Sequence, residues 1–317
     1  MSTTARCLRT RAGLSGCSSV RATQNPPPRR QWLQRYPITT SAASTSPTSP
    51  SSPRTIFSGI QPTGIPHLGN YLGALRQWVK LQDEAGPGDQ LIYSIVDLHA
   101  LTLPQEAEVL REWRRQSFAI LLAVGLRAER ATVFFQSSGA CGVDVDIEYG
   151  FLDGVFVEDD AVEAPAKRIM SLKSPDQKMS KSHTDPNSRI LLTDDPETIH
   201  KKIKVALTDS EPGISYDPDN RPGVSNLLDI LSNFDDTSRL SPAELAQEHK
   251  DLSLKSLKEH VAQKVAGHLA PVRERYAELM ADERGREYLD CVAREGADKA
   301  GRNAEKTMKQ VKAAIGL

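Results

Sequence analysis

A chain of 317 residues, 38% hydrophobic and 26% charged, has an ordinary globular composition and room for two modest domains. No run approaches the roughly 18 apolar residues that a membrane span requires, so no membrane partner is expected. Four scattered cysteines (Cys7, Cys17, Cys141, Cys291), with no CxxC and no His/Cys pairing, point away from a disulfide framework and from a zinc site.

The charge is unevenly placed along the chain. Residues 1–54 hold eight arginines and no acid; without those eight charges the net −1 becomes −9. Any nucleic-acid contact of the acidic remainder must therefore be a local patch. Residues 1–53 are rich in Arg, Ser and Thr and finish in the Pro/Ser run Ser46–Pro53. That composition predicts a cleavable leader for the mitochondrial matrix, its amphipathic part at Cys7 to Val20; the bland alternative is a disordered tail.

Folded sequence is expected from Thr55. Thr55–Ile60 reads as a short buried strand ended by the turn Gln61-Pro62-Thr63-Gly64. A helix follows with Leu68, Leu72, Leu75 and Val79 on one face. Leu91–Val96 reads as a strand, Pro104–Val124 as a long helix and Ala131–Gln136 as a third strand. Strands alternating with helices predict a parallel α/β sheet. Past Asp194 the apolar residues recur at helical spacing from Leu254 to Leu279, with Pro271 expected to kink or split that helix. The last segment, from about Asp282, is helical too. The layout predicts a leader over 1–53, an α/β domain over 54–193 and a helical domain over 194–317.

Two segments carry phosphate chemistry. The first is the strand-to-helix turn Gly59-Ile60-Gln61-Pro62-Thr63-Gly64 leading into Pro66-His67-Leu68-Gly69-Asn70. A helix start offers unpaired N–H groups and a positive dipole end, Gly69 clears the approach to the backbone, and His67 and Asn70 add donors. The second is Lys178-Met179-Ser180-Lys181-Ser182, between Pro175 and Pro186, preceded by Arg168-Ile169-Met170-Ser171. Two lysines three apart on a small-residue loop suit the charge that develops on a departing pyrophosphate. Either segment alone is a tight turn or a solvated loop; the pair is far more specific.

His67-Leu68-Gly69-Asn70 and Lys178 to Ser182 resemble the two signatures of class I aminoacyl-tRNA synthetases. The wording is closest to the tryptophanyl branch, of mitochondrial type: Thr55 to Gly64, Gly69-Asn70-Tyr71-Leu72-Gly73-Ala74, Ile95 to Ala100, Val133 to Ser138, Lys202-Ile203-Lys204, Thr208-Asp209-Ser210, Arg221 to Leu228 and Gly296 to Ala300. The resemblance implies a Rossmann-like catalytic domain followed by an all-helical anticodon-binding domain. It implies ATP-dependent activation of tryptophan and transfer to tRNA(Trp), with ATP and Mg2+ as the substrate complex and no resident metal or prosthetic group. Carried over by position, His67, Lys178 and Lys181 are the catalytic candidates. Gln61, Pro62, Thr63, Gly69, Asn70, Ile169 (through its backbone), Lys178, Met179, Ser180, Lys181 and Ser182 are the ATP candidates. Phe57, Gln61 and His99 face the amino acid; by itself His99 reads as a satisfied core histidine. Lys299, Arg302, Lys306, Lys309 and Lys312 fall near one helical face and are candidates for phosphate contact, or simply a solvated stripe.

The pattern breaks between Ser138 and Tyr149. The family carries roughly eighty further residues there, more than two βα units, including the helix that reads the indole and a strand beside the first one; here only ten residues intervene. The expected consequences are an exposed edge on the first strand, loss of the shaped pocket that rejects tyrosine and phenylalanine, and loss of most of the family's homodimer interface. As written, the chain is then expected to activate little or no tryptophan. The alternative to a ligase is a truncated paralogue that binds tRNA or ATP only. A small nucleotidyltransferase would share the first turn without needing the second segment.

Overall fold

The computed structural model describes residues 53–102, 104–138, 155–157, 161–162, 168–234 and 240–316. The leader and the bridge after Ser138 lie outside the described residues. Strand β1 (Thr55–Ile60) buries Ile56 and Ser58 in the alternation a strand requires. It pairs in parallel with β2 (Gln90–Ile95), which pairs in parallel with β3 (Thr132–Phe135). Between them run helix α1 (Leu68–Asn70), a wide π-helical turn (Tyr71–Leu75) and α2 (Arg76–Glu84), then α3 (Ala107–Ala123). These are the expected elements, with ends moved by one to three residues.

The edge of β1 differs from expectation. A short hairpin, β4 (Val155–Val157) and β5 (Ala161–Val162), lies along it, so the sheet order is β3-β2-β1-β4-β5. β4 runs antiparallel to β1, with Ile56 opposite Val157 and Phe57 opposite Phe156. A bare strand edge presents N–H and C=O groups that seek a partner. Val155-Phe156-Val157, being β-branched and aromatic, is a segment suited to supply one.

The helices past Asp194 are α4 (Pro196–Lys204), α5 (Pro222–Phe234), α6 (Pro242–Glu248), α7 (Leu254–Ala281) and α8 (Glu283–Ile315). Their starts are written locally: Asp195, Ser241, Ser253 and Asp282 each accept a backbone N–H as N-cap. Pro271 does not split α7, which runs 28 residues through it. Burial of Leu257, Val261, Val265, Leu269 and Val272 on one stripe outweighs the single hydrogen bond that proline removes.

Residues 52–317 form one compact unit, and one continuous apolar core joins sheet to helices, from Ile56, Tyr93 and Phe118 to Leu227, Val261 and Leu289. The closest approach is at Gly296 on α8, where a Cβ would stand 1.8 Å from the carbonyl oxygen of Val133 on β3. Only glycine lets that helix lie against the strand. At the start of α5, Arg221 is buried and its guanidinium reaches Asp209 (2.7 and 3.0 Å), Ser215 Oγ and the carbonyls of Glu211 and Gly213. Asp209 is held below the usual carboxylate range by those Arg221 hydrogen bonds. Two residues on, a Cβ at Gly223 would meet the Leu207 carbonyl oxygen at 2.2 Å. Among the described residues, no helix is long and apolar enough to cross a membrane.

Candidate active site

The expected site residues gather at the carboxyl ends of the parallel strands, where ligands of open α/β sheets bind. β1 runs out into the turn 61–64, closed by a bond from Thr63 N–H to the Gln61 carbonyl at 3.0 Å. Pro62 is buried, while Gln61 and Thr63 are exposed. Gly64 takes φ +85°, a backbone that favours glycine, and a Cβ there would come within a tight 3.2 Å of Trp113 Nε1 on α3.

His67 is the N-cap of the helical run that follows. Its Nδ1 accepts the Asn70 N–H at 3.3 Å, and its own N–H donates to Asn70 Oδ1 at 3.2 Å. This reciprocal capping box sets the ring, and because Nδ1 accepts, the neutral imidazole carries its proton on Nε2. At 4% exposure His67 is a buried cap as well as a phosphate candidate. The segment is stitched to 190–192 by Leu68 N–H to Ile190 O (2.8 Å) and Leu192 N–H to Pro66 O (3.1 Å).

The second segment folds back onto the first. Ile169 and Met179 are buried, and the Met179 N–H donates to the Ile169 carbonyl at 3.0 Å. Lys178 and Ser182 are exposed, and the hydroxyls of Ser180 and Ser182 stand 2.8 Å apart. Lys181 crosses to the first turn, its ammonium donating to Thr63 Oγ1 (2.9 Å), the Thr63 carbonyl (3.1 Å) and the Gly64 carbonyl (2.9 Å). Burial, and next the nearby Arg189 guanidinium, pull its pKa down to about 8. Gly69 stands between the two segments: a Cβ there would lie 3.1 Å from the His67 ring and 3.7 Å from Met179 Cβ. Thr63, Gly64, His67, Gly69, Met179 and Lys181 thus form one knot, with Asn70 joined through the cap.

Of the residues expected beside the amino acid, Phe57 is half-buried within β1 and His99 half-buried in the turn after β2, its carbonyl accepting from Thr102 Oγ1 at 2.9 Å. The strongest feature there is one the sequence reading passed over. Asp97, 3% exposed at the end of β2, pairs with Arg114 Nε of α3 at 2.8 Å. It also accepts from Ser137 N–H (2.9 Å) and Ser137 Oγ (2.6 Å), tying the ends of β2 and β3 together. The Arg114 guanidinium lies 4.4 Å from the centre of the Phe135 ring. An acid just past the end of a largely apolar strand was the available signal. Lys299 is not a bare phosphate candidate, since its ammonium donates to the Ala128 carbonyl at 2.9 Å. The shallow groove beside it, lined by Gln90, Ala131 and Asn303, opens at the opposite end of the strands. Among the described residues, no group of three or more His, Cys, Asp or Glu could hold a metal ion.

The sequence model of the tRNA synthetases class I (W and Y) matches residues 49–140 and 146–270. A tryptophan–tRNA ligase of Enterococcus faecalis is 33% identical over 340 positions, covering 83% of this chain and 98% of that protein. Since 83% of 317 residues is about 263, some 77 of those 340 positions have no counterpart here. A mitochondrial tryptophan–tRNA ligase of Schizosaccharomyces pombe is 30% identical, covering 83% of this chain and 95% of that one. The tryptophanyl-tRNA synthetase of Mycoplasma pneumoniae shares the fold with a TM-score of 0.66 at 23% identity, over 82% of this chain and 97% of that one. A further structural neighbour, from Campylobacter jejuni, was solved with ADP and tryptophan (TM-score 0.60, 21% identity, 82% of this chain and 99% of that one). On the strength of the family match and of these relatives, the chain belongs to the W and Y branch of the class I tRNA synthetases.

Proposed function

We propose that this chain is a tryptophan–tRNA ligase. That activity is activation of L-tryptophan with ATP and transfer of the aminoacyl group to tRNA(Trp), and it stands against the expectation, drawn from the short bridge after Ser138, that little tryptophan is activated. The observation that carries the reading is the closure of the Lys178–Ser182 loop onto the 61–64 turn through Lys181, in a chain whose relatives bear that activity. In this reading ATP displaces Lys181 from Thr63 and Gly64. Lys178 and Lys181 then follow the β- and γ-phosphates, Gly69 and Asn70 receive phosphate and ribose, and Ile169 meets the adenine. Mg2+ travels with the nucleotide. The tryptophan carboxylate attacks the α-phosphorus, pyrophosphate leaves, and the terminal ribose hydroxyl of tRNA takes the acyl group as AMP departs. No protein nucleophile is needed; catalysis is alignment and charge stabilisation. Phe57, Gln61 and His99 border the amino acid, and the helices past Asp194 carry the tRNA contact. The arginine-rich leader and the mitochondrial relative support a place in the mitochondrial matrix.

One observation favours a second reading, in which the chain binds ATP or tRNA without charging it. The family match is interrupted between 140 and 146, and some 77 positions of the E. faecalis relative are missing here. Tryptophan-dependent exchange of pyrophosphate into ATP by the purified full chain separates the two. Exchange with tryptophan and not with tyrosine supports the ligase. Binding of ATP or of tRNA(Trp) without exchange supports the second reading, and absence of exchange and of both binding activities defeats both. A fusion of residues 1–54 to a fluorescent reporter tests the address; diffuse cytosolic signal would refute it.

A further inference from the structure

The base of the Lys178–Ser182 loop is held from 56 residues further along the chain. Asn226, on α5 and 3% exposed, accepts the Met170 N–H on its Oδ1 at 2.9 Å and donates from Nδ2 to the Met170 carbonyl at 3.0 Å. One carboxamide therefore satisfies both backbone groups of one residue, as a neighbouring strand would. On its other side the same stretch pairs with the loop itself. Ser171 N–H donates to Gln177 O at 2.8 Å, Met179 N–H donates to Ile169 O at 3.0 Å, and Met170 and Lys178 face one another in an antiparallel bridge. Met170 is thus gripped between Asn226 and the residue that carries the loop's first lysine.

Asn226 is itself well placed to act as a fixed point. Arg221 ties the start of α5 to Asp209, Gly223 allows contact with the Leu207 backbone, and Ser225 Oγ accepts the Asp217 N–H at 3.0 Å. The segment Arg221 to Asn226 therefore reads as anchor, close approach and clamp, from the residue before α5 into its second turn.

We infer that Asn226 is a positioning residue for ATP. By fixing Met170 it sets the register of the 170/178 bridge, and so the places from which Lys178 to Ser182 and the Ile169 backbone meet the nucleotide. It touches no reacting atom. The side chain has no substitute of its size: aspartate keeps the acceptor but sets a carboxylate against the Met170 carbonyl, and leucine offers neither group. The inference rests on the reading that this loop holds ATP.

The test uses the full chain, with Asn226→Asp and Asn226→Ala. Amide hydrogen exchange at Met170 and Met179 is followed without nucleotide, thermal midpoints are recorded, and the Kd for magnesium-ATP is measured. Both variants are expected to stay folded, to exchange Met170 and Met179 at least about tenfold faster, and to bind magnesium-ATP at least about fivefold more weakly. Faster exchange with an unchanged Kd would overturn the positioning role. Unchanged exchange would overturn the clamp, even if the parent chain binds no ATP, a result that by itself counts against the ligase reading and not against Asn226. Loss of folding in both variants would also overturn the inference, by making Asn226 a general structural pin.

Discussion

The two sides of the site are built differently. Around the Lys178–Ser182 loop, backbone is held by side chains arriving from far along the sequence: Lys181 on Thr63 and Gly64, and Asn226 on Met170. On the amino-acid side, one buried acid, Asp97, fastens two strand ends, and beyond it Leu98, Leu101 and Val109 are exposed. The first side makes its own contacts among the described residues. The second presents apolar surface next to the point where the family match breaks. If the proposed function holds, nucleotide binding draws on contacts present among the described residues, whereas discrimination among amino acids needs a pocket wall that those exposed residues do not close.

Four substitutions test that contrast. The largest effect is expected from Gly223→Ala. Its new Cβ would meet a backbone oxygen at 2.2 Å, and neither partner is a flexible side chain. Overpacking of this kind costs about 3 kcal/mol, a fall in Tm of roughly 6–10 °C, and should weaken magnesium-ATP binding as well. A wild-type melting curve would show that α5 is free to shift and that the nucleotide side is not rigid. Asp97→Ala should cost less, about 2 kcal/mol in a denaturant titration, since Arg114 keeps some contact with water. It should leave the Kd for ATP unchanged; a large rise would mean that the two sides are mechanically one.

The third test is a pH series. With the Lys181 pKa near 8, the ammonium is largely lost by pH 9, and ATP affinity should be about tenfold weaker there than at pH 7. Lys181→Arg keeps its charge throughout and should abolish that alkaline limb. Stability should move the opposite way. Folding depresses this pKa below the usual 10.5, so the lysine's contribution to stability is complete above 10.5 and is lost as pH falls through about 8. A flat affinity profile from pH 7 to 9 would mean that Lys181 is not the titrating contact. The smallest effect belongs to Leu101→Ser, where a 61% exposed side chain should change stability by no more than about 0.5 kcal/mol. A cost several times larger would show that the amino-acid side is covered in solution.

The sequence was legible wherever the determinant is local. The strand Thr55–Ile60, its exit turn, the parallel order of the first three strands and the paired phosphate segments all follow from patterns a few residues long. The caps of α4, α6, α7 and α8 are equally local, each lying beside the N–H it satisfies, although none is among the expectations drawn from the sequence. Of the two outcomes a local rule allows at Pro271, a kink or a split, the split does not occur, because the apolar stripe of α7 outweighs the lost hydrogen bond and the clash of the ring. Tertiary structure alone decided what depends on partners far away in sequence. These are the hairpin along β1, the approach of Gly296 to β3, the buried Asp97–Arg114 pair, the descent of Lys181 onto Thr63 and Gly64, and the grip of Asn226 on Met170. A carboxamide, a lysine or a glycine carries no mark of the backbone it will meet, because the meeting is fixed only when helices and sheet close around one core.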